Sequence, residues 1–296
     1  MVKRWLMACV AVLLGFSLCY AQESVRSVIP THSFKASFEA VHFDYDQISG
    51  INVEDYMYGV YGGYTYHDHG CISIPLMFET DVEYATSNDM DTDGWYPDYS
   101  AGALGGQKYV VGDSDNYLLE VRCLVGYDFT MGKHIITPYV GYGYRYWNMD
   151  NPDVRAQQVA GNPSVPGFEQ DTEYHYSPIG VKTISPLNDK WVFKTMFEFD
   201  LLWDGKIEKD ISDANSKYED TKCELDFGDG YGFRLAAQIE RKITSKISAW
   251  LEPYIKYWNI KESDQVGIPG SGGLTVVEPK NDTTSWGIRL GGSLSF

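Results

Sequence analysis

The chain has 296 residues, with 24 Lys and Arg against 41 Asp and Glu and a formal net charge of −17. So acidic a chain argues against nucleic acid as a partner, because phosphates reward basic surfaces. Five cysteines are too few and too scattered for a disulfide framework, whereas 23 tyrosines and an aromatic fraction of 15% exceed what a soluble core needs and suit the interfacial girdle of a membrane barrel.

In chain order, Lys3 and Arg4 make a short positive start, Trp5 to Cys19 an apolar run, and Ala21 the small residue of a cleavage site. Residues 1–21 therefore read as a secretory signal peptide. Their removal costs two positive charges and leaves Cys71, Cys123 and Cys223. Beyond them no apolar run approaches the roughly 20 residues that a membrane helix needs. Residues 22–32 read as a periplasmic N-terminal segment and 33–296 as the folded body.

Segments of period-2 alternation follow near 33–45, 53–67, 71–87, 115–129, 134–149, 172–184, 190–204, 229–242, 245–261 and 283–296. The first changes phase around Ala40 and Val41, which predicts a bulge. In 190–204, Trp191, Phe193, Phe197, Phe199, Leu201 and Trp203 alternate with Lys190, Lys194, Glu198, Asp200 and Asp204. In 118–129, Leu119, Val121, Val125 and Phe129 alternate with Glu120, Arg122 and Asp128. An apolar outer face and a charged inner face are what lipid demands of a barrel. Residues 136–148, "ITPYVGYGYRYWN", are echoed by "LEPYIKYWN" at 251–259. Both read as rising strands ending in Tyr-Trp-Asn at the outer rim, with Pro138 and Pro253 expected at strand ends or bulges.

The connections at 67–70, 130–133, 185–189 and 242–245 are tight, whereas those at 87–115, 149–172, 204–229 and 261–282 are long and carry most of the negative charge. Tight periplasmic turns and long extracellular loops follow. The fold class is all-β: a transmembrane antiparallel up-and-down β-barrel of about ten strands with long extracellular loops. A barrel of this size has an interior that side chains can fill. The inward charges should therefore pair, Glu198 with Arg234 among them, since an unpaired buried charge is costly.

Residues 286–296 set Trp286, Ile288, Leu290, Leu294 and Phe296 against Gly287, Arg289, Gly291, Ser293 and Ser295. A last strand ending in Phe resembles the insertion signal of Gram-negative outer-membrane β-barrel proteins, and the architecture of the whole chain resembles that family. The resemblance implies a monomer in the cell outer membrane. Its partners would be outer-membrane lipid, lipopolysaccharide and, through the C-terminal strand, the barrel-assembly machinery. Ten strands and this length are also similar to the omptins, the outer-membrane endoproteases, which set an acidic pair on one rim against an Asp-His pair on the other. Asp89, Asp91 and Asp93 could supply the acids. The facing loop at 204–229 has Asp204, Asp210, Asp213, Asp220, Asp226 and Asp229 but no histidine, so the water-activating base is missing there.

The one metal motif is "NDMDTDGWYPDY" at 88–99, where Asp89, Asp91 and Asp93 alternate ahead of Gly94. On a loop this spacing offers calcium three carboxylates and a sharp turn, with the backbone oxygen of Trp95 and the carboxylate of Asp98 as further ligands. An EF-hand would close with an acid where Ser100 stands, so this is not one. In "YHDHGC" His67, His69 and Cys71 alternate and read as a solvated cluster on a tight turn. In "YHYS" His175 and Ser177 share a face without a third group. The expected function is a non-enzymatic surface barrel whose acidic loops bind a cationic ligand or divalent cations. It requires no cofactor, and calcium is the one candidate ion. A narrow channel for ions or small solutes and an omptin-like protease are the alternatives.

Overall fold

The computed structural model describes residues 30–68, 75–96, 107–151, 154–155, 164–165, 168–210, 222–268, 273 and 275–296. The proposed signal peptide, Cys71 and Asp98 lie outside them. Ten long strands run in chain order: β1 (His32–Gln47), β2 (Asn52–His67), β3 (Leu76–Tyr96), β4 (Gln107–Tyr127), β5 (His134–Asn151), β6 (Phe168–Pro186), β7 (Trp191–Asp210), β8 (Gly230–Lys242), β9 (Ile247–Ile260) and β10 (Asn281–Ser295). Each pairs antiparallel with the next, and β10 returns to β1 from Ser33↔Ser295 to Gln47↔Asn281, which closes the sheet. Reciprocal backbone hydrogen bonds between His32 and Phe296, 3.0 Å each, finish the seam. Closure removes every sheet edge, which lipid would not tolerate. Two short strands extend the wall: Phe129–Met131 pairs with the start of β5, and Lys222–Phe227 with the end of β7.

Along β1, Ser33, Ser37, Glu39, Val41, Phe43, Tyr45 and Gln47 are buried in the lumen, whereas Phe34 and Phe38 stand exposed on the outer wall. The same parity places Phe193, Phe197, Phe199, Leu201 and Trp203 outside and Glu198 and Asp200 inside. Burial of the lipid-facing set is supplied by the bilayer, so its exposure here marks the membrane surface.

Three expectations are corrected. The register of β1 against both neighbours runs unbroken through Ala40 and Val41, so no bulge lies there. The phase change has another cause: the lumen itself turns from polar to apolar at that height. The register shifts instead fall toward the loop end, between Glu54 and Tyr58, between Ser87 and Thr92, and between Leu202 and Asp204. Strands β3 and β4 each have 21 residues and run far past the expected limits of 87 and 115. A tilted membrane strand needs only about 9–11, so this hairpin stands clear of the bilayer. Pro138 lies inside β5, in register with Val181 of β6, at the break between the rungs to β4, which end at Gly126↔Tyr139, and those to Phe129–Met131, which begin at Ile136. Pro253, however, sits in mid-strand. Pairing with β8 skips from Ala236↔Tyr254 to Ile239↔Leu251 without a change of register, because proline has no N–H to donate.

The first loop-end connection is a tight turn, with Gln47 N donating to Ile51 O at 2.8 Å and Gly50 at φ 90°, a left-handed conformation that glycine adopts without strain.

Candidate functional site

The lumen has three layers. The end with the termini and tight turns is the turn end, and the other is the loop end. The middle layer is a continuous chain of alternating charges. Arg122 on β4 donates two hydrogen bonds to Asp81 on β3, at 2.9 and 2.8 Å, and one to Glu198 on β7 at 2.6 Å. Arg234 on β8 lies 3.2 Å from Glu198 and bonds Glu120 at 2.6 Å. Lys256 on β9 bridges Glu120, at 2.8 Å, to Glu83, at 2.5 Å. Arg289 on β10 bonds Glu83, Glu39 at 2.8 Å and Glu252 at 3.0 Å. Three tyrosines brace the acids: Tyr139 donates to Glu198 at 2.8 Å, Tyr176 to Glu120 at 2.5 Å and Tyr254 to Glu39 at 3.2 Å. The Tyr176 ring reaches Glu120 across Gly143, where a Cβ would lie 2.1 Å from the ring. The expected pairing of inward charges is present along this chain, Glu198 with Arg234 included, but not at Asp200, which is buried with no ion pair among the described residues.

Toward the loop end the lumen is apolar. Val41, Phe43, Tyr45, Val53, Met57, Leu118 and Trp147 pack in one cluster. Tyr174, Leu202, Ile207, Leu225, Phe227, Trp258 and Ile260 form another, against which Val266 and Val276 pack. Arg145, 3% exposed, lies over the Trp258 ring at 5.7 Å and has no ion pair among the described residues. Residues 261–268 and 275–280 pack over this end. Glu278 accepts from Tyr45 at 2.8 Å and Gln47 at 2.7 Å on β1, and pairs with Lys209 on β7 at 2.5 Å. One carboxylate thus ties opposite walls together. Glu278→Ala should free the segment, and trypsin should cleave at Lys261 and Lys280 about tenfold faster or more, the equivalent of one lost charge-assisted hydrogen bond of roughly 1.5–3 kcal/mol. An unchanged cleavage rate would show that the apolar contacts alone hold the segment.

Below the charged layer a cavity of about 520 Å³ opens at the turn end. A separate void of about 10 Å³ among Phe43, Leu118, Arg145 and Lys256 has room for one water. Charged network and apolar plug together fill the middle and upper lumen.

Compared with solved structures, the chain aligns over 95% of its length with 99% of the outer membrane protease OmpT of Escherichia coli, at a TM-score of 0.66 and 8% identity. The chain has an outer-membrane β-barrel fold. At 8% identity the likeness extends to fold alone. A major outer membrane protein of Thermus thermophilus and the Neisserial surface protein A also align, at TM-scores of 0.39 and 0.35 with 13% and 10% identity, covering 89% of this chain in each case and 99% and 97% of theirs. No protein-family model and no curated relative matches the sequence.

On this outer-membrane barrel the residues singled out in the sequence fall as follows. The backbone at Asp89, Asp91, Asp93 and Trp95 belongs to β3, not to a loop. Asp91 stands opposite Glu54 and Asp93 opposite Asn52, and Gly94 is paired with Tyr109 rather than making a turn. No group of three metal-ligating side chains occurs among the described residues. Toward the loop end His175 is in register with Asp204, but its ring lies on the outer wall, 5.7 Å from Trp203 and bonded to Tyr142 at 2.8 Å. It belongs to the aromatic belt and faces away from the mouth. His67 is buried at the turn end, 2.6 Å from Asp128. His69 and Cys71 lie outside the described residues.

Two features escaped the sequence. The apolar plug did, since Phe43, Trp147 and Trp258 share strand faces with the charges below them. So did the meaning of the echo. Tyr146 and Asn148 both donate to Asp171 on the next strand, Asn148 at 2.9 Å. Tyr257, at 2.6 Å, and Asn259 both donate to Asp282. In each copy the Asn stands directly opposite the Asp, and the Trp between Tyr and Asn turns inward into the plug. The repeat therefore couples the outer wall to the lumen filling at two places.

Proposed function

We propose that this protein is a non-catalytic barrel of the cell outer membrane that acts through its loop-end surface, by binding a cationic partner or divalent cations. The observation that carries the reading is the filled lumen. A conducting channel needs a continuous polar path, and here ion pairs and then aromatic rings occupy it. What is left to act is the outer face. There Asp46 and Glu54 stand exposed beside Asp44 and Asp282, and Glu169, Asp171, Glu208 and Glu224 form a second acidic strip. Such a face attracts cationic ligands and repels lipopolysaccharide phosphates unless divalent ions bridge them. A hydrogen bond to Glu208 raises the Lys222 ammonium above the ordinary lysine range, so the cations within the strip stay charged. In this reading the turns lie in the periplasm and the C-terminal strand is offered to the barrel-assembly machinery.

The test is binding of a labelled oligolysine peptide to intact cells expressing the protein. Neutralising Asp44, Asp46, Glu54 and Asp282 to Asn or Gln should weaken it severalfold at low salt, and about 0.15 M salt should reduce it further. Equal binding by the neutralised variant would reject the proposal. Calorimetry with calcium and magnesium tests the divalent arm: Asp91→Asn should lower an affinity on the order of 0.1–1 mM if Asp89, Asp91, Asp93, Trp95 and Asp98 share one ion. On a cysteine-free background, Asp264→Cys should react with an impermeant thiol reagent outside the cell and Asn188→Cys should not.

A further inference from the structure

The cavity at the turn end belongs neither to the filled layers nor to the loop-end surface. Its volume of about 520 Å³ falls inside the roughly 300–1,000 Å³ of small-molecule pockets. Its lining departs from the charge of the molecule: Lys35, Lys182, Lys194, Lys242 and Lys246 face Glu79, Glu240 and Glu252 in a chain of net charge −17. The roof arginines, Arg122 and Arg289, are engaged with the carboxylates of the network. The lysines are not so fully engaged. Lys182 meets Glu79 and Lys194 meets Glu240, each at 2.6 Å, and an ammonium has three donors, so both keep donors free. Lys35 is half-buried and has neither ion-pair nor hydrogen-bond partner among the described residues.

The placement of these amines matters more than their number. Lys35 projects from β1, whereas Lys182 and Lys194 project from β6 and β7, halfway round a ten-stranded ring. The cations therefore enter from opposite walls. Around Lys182 and Lys194 the wall is apolar at Ile184 on β6, Val192 and Met196 on β7 and Ala236 on β8, and Thr195 and Gln238 add polar groups there. Two cationic poles on opposite walls, one of them flanked by apolar side chains, match a short carbon chain with an oxyanion at each end.

We propose that this cavity binds a small organic dianion, bearing carboxylate or phosphate oxygens, that enters from the turn end, with Lys35 holding one pole and Lys194 the other. The charged network above it makes the pocket blind, so the ligand binds and leaves by one opening and is not passed through the barrel.

Calorimetry on the full-length protein in detergent micelles tests this, with succinate and glycerol phosphate as probes and putrescine as the cationic control. Saturable one-to-one binding of at least one dianion is expected. Lys35→Met should weaken it roughly ten- to a hundredfold, as loss of a charge-assisted hydrogen bond does, and Lys35→Arg should retain most of it. Ser248→Trp should block binding by filling the pocket, while Lys261→Met at the far end should leave dianion binding unchanged. Heat-modifiable migration on a gel shows that each variant is folded. No saturable heat with either dianion, equal heat with putrescine that Ser248→Trp likewise abolishes, or dianion binding unaffected by both Lys35→Met and Ser248→Trp would overturn the proposal and leave a solvent-filled vestibule.

Discussion

Arg122→Met should lower the unfolding free energy by about 3–5 kcal/mol, the typical result of removing one partner from a buried ion pair. The guanidinium is 2% exposed and makes three bonds to two acids. Without it Asp81 loses both of its bonds to the guanidinium. Glu198 retains Tyr139 at 2.8 Å and Arg234 at 3.2 Å, so Asp81 carries most of the loss. Adding Asp81→Asn removes the orphaned charge and should return roughly half of it, since the penalty lies in the uncompensated ion rather than in the missing attraction. The exposed pair of Lys261 with Asp229, at 2.7 Å, is the control, and Lys261→Met should cost less than about 1 kcal/mol. Urea unfolding in micelles measures all three. If Arg122→Met unfolds with the parent, water reaches Asp81 and the lumen is wider than the packing implies.

How much of this was legible in the sequence depended on whether a residue has two different neighbours. Within the membrane each strand has lipid on one side and the lumen on the other, so alternation is strong and ten strands and their inward charges could be read. Above the bilayer both faces of a strand meet water. Residues 88–94 hold Asn, three Asp, Thr and Gly, with Met90 alone apolar, so the upper β3–β4 hairpin looked like a loop and Gly94 like its turn. The converse holds at Val41, Phe43 and Tyr45, where an apolar lumen backs an outer face that has turned polar at His42, Asp44 and Asp46, so the period inverts into an apparent phase shift. The pocket lysines were hidden for a third reason. Lys35 and Lys194 are far apart in sequence, and only closure of β10 onto β1 sets them across one space.

Trp147→Ala should be the most destabilising change in the plug and yet leave the barrel electrically silent. The indole is 3% exposed, packs at 5.1 Å from Phe43 and 5.0 Å from Tyr45, and donates to Asn116 at 3.0 Å. Truncating such a ring costs about 3–5 kcal/mol through lost contacts and the cavity left behind, and it leaves the Asn116 oxygen without its donor. The hole opens toward the loop end only, because the chain of ion pairs from Asp81 to Glu39 still crosses the lumen beneath it. Planar-bilayer recordings of the parent and of Trp147→Ala should therefore both lack stable current steps, while urea unfolding separates them widely. Steps in the parent would show a continuous path and favour the channel reading. Steps confined to Trp147→Ala would show that the aromatic plug alone is the seal and that ions pass between the paired charges below it.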